Sequence, residues 1–174
     1  MKKLLLASVL MFSTSTVATA TLETPIEASA KVTQKKMTAS LAKAMKQGKF
    51  PNAKGKIGMT YSKLTKVAPA YFVTSDNDVL LYAHSRSKKY AGNPLYLDAY
   101  FFNNKNFNNK SKVQSVQRLF DYTFTSSSLK KYFGNPLKVT ATDRYYKVGD
   151  YVAIFTVENN QTYLFVSKVK YLLL

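Results

Sequence analysis

A chain that does chemistry needs groups that can be positioned and tuned, and this one is short of them. Its single histidine, His84, stands between Ala83 and Ser85 at the end of an apolar run. No serine or aspartate motif accompanies it, and the commoner role of a strand-end histidine is structural. Asp76-Asn77-Asp78 has the start of a calcium loop, but the glycine and distal glutamate of an EF-hand are missing, so it reads as a turn. There is no cysteine, which excludes thiol nucleophiles, cysteine-ligated zinc and iron–sulfur centres. Six glycines, none in a G-x-G pattern, provide no phosphate-cradling loop, and nine acids are too scattered to nominate a catalytic pair. The expectation is a non-enzymatic protein with no metal and no cofactor.

What remains is charge. The chain has 26 basic and 9 acidic residues, a formal net charge of +17. Such an excess repels itself in the folded state and suits an anionic partner: nucleic acid, a teichoic-acid-like cell-wall polymer, a sulfated glycan or anionic lipid. It also suits a protein that merely stays soluble or adheres to a negative cell wall. Only Arg86, Arg118 and Arg144 are arginines; the other cations are lysines. Lysine is a hydrated point charge, whereas arginine supplies the planar fork that reads base edges. Nucleic-acid binding would therefore be backbone-directed and tolerant of sequence. Tyrosines interleave with cations at Lys88-Lys89-Tyr90, Lys130-Lys131-Tyr132, Arg144-Tyr145-Tyr146-Lys147 and Lys168-Val169-Lys170-Tyr171. Aromatic faces beside lysines can stack the bases of a single strand, although packing is the commoner role of a tyrosine in a sheet.

The elements that must carry these groups begin after a leader. Met1-Lys2-Lys3, the apolar run Leu4–Phe12 and Ala18-Thr19-Ala20 form a signal peptide over 1–20, with Ala28-Ser29-Ala30 as a second cleavage point at 30. Cleavage after Ala20 removes Lys2 and Lys3 and no acid, lowering the charge from +17 to +15. The apolar run is well short of the roughly 20 residues that span a membrane, so the reading is an exported, soluble protein. Residues 21–58 form a basic N-terminal helix and linker. From Ala28 to Ser75 there is no acid, and helical spacing over Thr33–Gln47 ends at Gly48. Met37, Leu41 and Met45 fall on one side of that helix; Lys35, Lys36, Lys43, Lys46 and Lys49 fall on the other. Three fates are open to it: docking on the domain, lying on an anionic membrane, or remaining a loose basic arm. Phe50–Gly58 reads as linker.

Residues 59–174 read as an α+β domain of two repeat-like units, 59–122 and 123–174. The first has a capped helix from Thr60, strands at Ala70–Val73, Val79–His84 and Leu95–Phe102, and a returning strand at Val113–Tyr122. In Leu95–Phe102, Leu95, Leu97, Ala99 and Phe101 face one way, and Tyr96, Asp98, Tyr100 and Phe102 the other. Between the last two strands lies Asn103–Lys112, five asparagines and three lysines without an acid, which reads as a mobile hairpin tip. The second unit repeats the order: a helix over Thr125–Phe133, then strands at Arg144–Val148, Tyr151–Val157 and Tyr163–Tyr171. Thr125 matches Thr60 and Leu129 matches Leu64. The architecture expected is two short-helix-plus-antiparallel-meander units forming one sheet, preceded by the basic amphipathic helix.

The second unit has the form Ser127-x-Leu129-x-x-x-Phe133-Gly134-x-Pro136, followed by an aromatic strand, a hydrophobic strand, a polar turn and a valine-rich final strand. This resembles the repeat of secreted β-lactamase-inhibitor-protein-like domains and of small outer-membrane assembly lipoproteins, whose layout packs a short helix on an antiparallel sheet. The first unit carries Ala68-Pro69 at the place of the glycine turn. Length, leader, asparagine-rich middle and basic character also resemble the secreted proteins of the immunodominant staphylococcal antigen B family. That resemblance implies a secreted or surface protein associated with extracellular nucleic acid, and it assigns no ligand residues.

Two functions follow as expectations. The first is a secreted binder of polyanions, nucleic acid foremost, acting through Lys35, Lys36, Lys43, Lys46, Lys49, Lys88, Lys89, Lys105, Lys110 and Lys112. The second is a protein-interaction module, an inhibitor or host-factor ligand, using the sheet face and loops toward a host or secreted protein.

Overall fold

In a computed structural model that describes residues 32–76 and 78–168, each half of the chain folds as one helix followed by four antiparallel strands. The expected leader and the end of the last run, including Lys170 and Tyr171, lie outside the described residues. The chain opens with strand β1 (Gln34–Lys35) and helix α1 (Ala39–Met45). The first unit comprises α2 (Tyr61–Val67), β2 (Phe72–Ser75), β3 (Val79–Ser85), β4 (Leu97–Asn103) and β5 (Ser115–Phe120). A two-residue strand β6 (Thr123–Phe124) leads into α3 (Ser126–Phe133), β7 (Lys138–Val139), β8 (Asp143–Val148), β9 (Tyr151–Glu158) and β10 (Gln161–Lys168). The sheet order is β2-β3-β4-β5-β10-β9-β8-β7. Each meander keeps its chain order, and the last strands of the two units pair antiparallel at the centre. The fold is α+β, as expected, with two helix-plus-meander units in one sheet.

Strand alternation sorts the side chains onto two faces. One row runs Val73, Tyr82, Tyr100, Val116, Val166, Ala153, Tyr146 across seven strands. With Phe102, Phe155, Leu164 and Val148, most of this row forms the core. Leu41 and Met45 of α1, Leu64 of α2 and Leu129 of α3 join the same core, so the three α-helices of the described residues cover one face. Full burial of such a side chain stabilises by about 1.5–3 kcal/mol. The opposite face carries half-exposed Leu81, Phe101, Leu119, Tyr163 and Phe165 together with buried Val152 and Ile154, and no helix lies over it among the described residues.

Three expectations need correction. The N-terminal helix spans Ala39–Met45, not Thr33–Gln47. Thr38 caps it by accepting from the Leu41 N–H at 3.2 Å, while Gln34 and Lys35 pair in parallel with Thr123 and Phe124. The Met37 N–H donates to the Ser128 hydroxyl at 2.9 Å, fixing the segment to α3. Lys35 and Lys36 are therefore off the helix. Of its three open fates the helix takes docking, with Met37, Leu41 and Met45 buried. Gly48, at φ +67°, ends it where a Cβ would come within 2.8 Å of the Tyr151 ring.

Phe50–Gly58 is no linker. Phe50 and Ile57 are core residues, and the Gly55 N–H donates to the Tyr100 hydroxyl at 3.0 Å. The approach is so close that a Cβ on Gly55 would meet Leu64 and Tyr100 at 2.5 Å. Nor is Asn103–Lys112 a free tip. Phe107 packs edge-on against Tyr61 and Phe102. The carbonyls of Ser111 and Asn109 accept from the N–H groups of Tyr61 and Ser62, satisfying first-turn donors that Thr60 does not cap with its side chain. Short polar stretches look alike in sequence whether they wave in solvent or close a helix end.

Candidate functional site

On the core face, a second row begins His84, Asp98, Arg118. Arg118 donates to Asp98 through Nε at 2.7 Å and Nη2 at 2.9 Å, a bidentate pair between side chains 7% and 2% exposed. Its remaining donors reach the Pro51 carbonyl at 3.1 and 3.2 Å, and the guanidinium lies 4.8 Å from the centre of the Phe50 ring. The buried turn at Phe50 and Pro51 thus closes the ion pair from above. Arg86 also approaches Asp98, at 3.2 Å. Two guanidiniums share one carboxylate and leave a surplus positive charge. Burial and the neighbouring Arg118 charge hold the Arg86 guanidinium below its ordinary value.

Arg86 opens the connection between β3 and β4, and the loop is tightly made. The Arg86 N–H donates to the Tyr96 carbonyl at 2.8 Å, and the Arg86 guanidinium reaches the Leu95 carbonyl. Asn93 caps the 3₁₀ turn Pro94–Tyr96 by accepting from the Leu95 N–H. The Tyr90 N–H donates to Ser87 Oγ, and the Ser85 hydroxyl donates to the Ser87 carbonyl. So held, Tyr90 and Tyr96 stack with centroids 4.8 Å apart and planes 22° off parallel. Arg86 lies 5.9 Å from the Tyr96 ring and Lys89 Nζ 5.2 Å from the Tyr90 ring.

The sequence-nominated lysines divide between the two ends of the sheet. Toward the end where β4 stops at Asn103, Lys105, Lys110 and Lys112 project from the loop before β5, all exposed. Lys46, the C-cap of α1, meets the β8–β9 turn at Gly149, and half-buried Lys49 follows it. Lys168 joins that end through its pairing with Tyr151. Toward the other end, where β3 stops at Ser85, stand Lys88 and Lys89, with Lys35 Nζ 4.2 Å above the Tyr122 ring and exposed Lys36 beside it. Lys43 points outward from α1. No lysine has a carboxylate partner among the described residues, where the ion pairs are Arg86 and Arg118 with Asp98.

His84 donates from Nδ1 to the Pro69 carbonyl at 2.8 Å, tying β3 to the end of α2. The carbonyls of Asp76 and Asp78 accept from Asn104. Among the described residues no group of three or more His, Asp or Glu is placed to hold a metal, and no helix is long and apolar enough to cross a membrane. Sequence reasoning missed the Asp98–Arg118 pair and the Tyr90–Tyr96 stack. The first carried a signal, a lone aspartate alternating with Tyr100 and Phe102 on one strand face. The second joins residues six apart across a turn, and no periodicity predicts it. No protein-family model matches the chain, and no match was found among curated proteins or solved structures.

Proposed function

We propose that this is an exported, non-enzymatic binder of polyanions, nucleic acid foremost, holding the backbone by charge and indifferent to sequence. One observation carries this reading: exposed lysines stand at both ends of the sheet with no carboxylate partner among the described residues. Ammonium groups with no carboxylate to give up can neutralise phosphates directly, and each phosphate neutralised releases a cation condensed on the polymer. The spread of lysines favours a long, flexible ligand over a compact one. Filter-binding titrations at about 50 and 200 mM salt test it. If six or more phosphates are contacted, affinity should fall by about 10³ or more between the two. Absence of binding at low salt overturns the reading.

A second reading rests on a different observation, half-exposed Phe101 and Phe165 in edge contact at 5.4 Å on the sheet face opposite the helices. A face of that kind suits a host or secreted protein partner. Such a partner would remain bound at high salt, where the polyanion would be released.

A further inference from the structure

We infer that the Tyr90–Tyr96 stack is a base-stacking platform, so that the basic surface prefers single-stranded over double-stranded nucleic acid. The inference rests on the polyanion reading above and narrows it. Lysines alone follow any phosphate backbone and do not distinguish a strand from a duplex. Discrimination needs aromatic faces that reach unpaired bases, which a duplex keeps hidden in its own stack.

Most tyrosines in this fold have no such freedom. Tyr82, Tyr100 and Tyr146 are buried in the core. Tyr90 is 43% exposed, on a loop, and backed by a nearly parallel ring. The backing ring matters because it occupies one face of Tyr90, and the 43% exposure of the residue leaves ring surface open to a base beside Lys89. The loop hydrogen bonds made with Arg86, Ser87 and Asn93 fix the pair before any ligand arrives, which lowers the ordering cost of binding.

Charge is placed to match. Arg86, Lys88 and Lys89 flank the rings, and the segment from Arg86 to Leu97 contains no acid. Asp98, the carboxylate that Arg86 approaches, is buried and already matched by Arg118, so it does not repel an incoming phosphate. A further exposed ring, Tyr71 at 49%, stands at the same end, its hydroxyl 3.3 Å from where a Cβ on Gly92 would lie. A base stacked on the exposed ring would place its phosphate within reach of Arg86, Lys88 or Lys89, the cations of the same loop.

The test uses the full chain, a labelled thymidine oligomer of about 20 nucleotides, a duplex of the same length, and heparin as a polyanion without bases. The wild type should bind the oligomer more tightly than the duplex. Tyr90→Ala and Tyr90→Leu should each weaken oligomer binding roughly ten-fold and leave duplex and heparin binding unchanged, while Tyr90→Phe keeps wild-type affinity. Lys88→Gln with Lys89→Gln should weaken all three alike. Equal binding of strand and duplex, or an unchanged oligomer affinity in Tyr90→Ala with its melting temperature preserved, overturns the platform and leaves the polyanion reading standing. Failure of the wild type to bind any of the three at low salt overturns the polyanion reading itself.

Discussion

The two units put different chemistry into the same row of the sheet. Across the core face that row runs His84, Asp98 and Arg118 in the first unit, then Leu164, Phe155 and Arg144 in the second. The first half is ionic and closed by the Phe50–Pro51 turn. The middle of the second half is apolar and lies with Phe124 and Leu129. The connections differ in parallel. β3, β4 and β5 are joined by the long segments 86–96 and 104–114, whereas β8, β9 and β10 are joined at Gly149-Asp150 and Asn159-Asn160. Long connections can carry cations and rings away from the core, and tight turns cannot. The first unit thus holds the Tyr90–Tyr96 pair and the lysines of its two long loops, and the second holds a plain core against which it is braced.

Removing Arg118 is the hardest test of that contrast. Arg118→Ala leaves Asp98 buried with only partly exposed Arg86 opposite, and should cost about 3–5 kcal/mol in urea unfolding. Converting the first unit to the second unit's solution, Asp98→Leu with Arg118→Leu, should recover most of that loss, because apolar pairs replace buried ion pairs well. A double variant as unstable as the single one would mean that the row needs its charges for more than pairing. The matched helix anchors come next. Leu64→Ala and Leu129→Ala should each cost about 2–5 kcal/mol, and a large inequality would show that the units are not braced alike.

Alkaline titration separates the halves by a different route. Burial pushes the phenols of Tyr82 and Tyr100 up in the first unit and those of Tyr145 and Tyr146 in the second. A phenol that ionises later in the folded state than in the unfolded one stabilises the fold less as pH rises. Stability should therefore hold below about pH 10 and then fall, by at most about 1.4 kcal/mol per pH unit for a fully buried phenol and by less for half-exposed Tyr145. Burial chiefly, and then the Asp98 charge, raise Tyr100 furthest, so Tyr100→Phe should flatten the decline more than Tyr146→Phe, as read from melts between pH 9 and 12.

A smaller loss, about 1–2 kcal/mol, is expected for Ser128→Ala, which strands the Met37 N–H and loosens the N-terminal segment from α3. The smallest is expected at the surface. Lys105→Gln with Lys110→Gln should change stability by less than about 0.5 kcal/mol while lowering the salt dependence of polyanion binding.

Much of the layout was readable because it follows from local rules. Alternation marked the long strands, and Thr125, Leu129 and Gly134 marked α3 from cap to end. The two-residue strand β7 was not readable, since Lys138-Val139 has no period to detect. The lysines were legible as exposed residues and not as a site, because composition says nothing about which end of the sheet a loop leaves from.

The sequence by itself determined the excess of lysine, the absence of cysteine, and the order helix-then-meander in each half, all properties of type and period. Only the tertiary structure decided which sheet face became the core. Both faces of β4 are largely apolar, and the one bearing Asp98 was buried because Arg118, on the neighbouring strand, and the Pro51 carbonyl, distant in the chain, satisfy it. It likewise brought Tyr90 onto Tyr96. Such contacts join residues by register and closure rather than by spacing, so they exist only once the chain has folded.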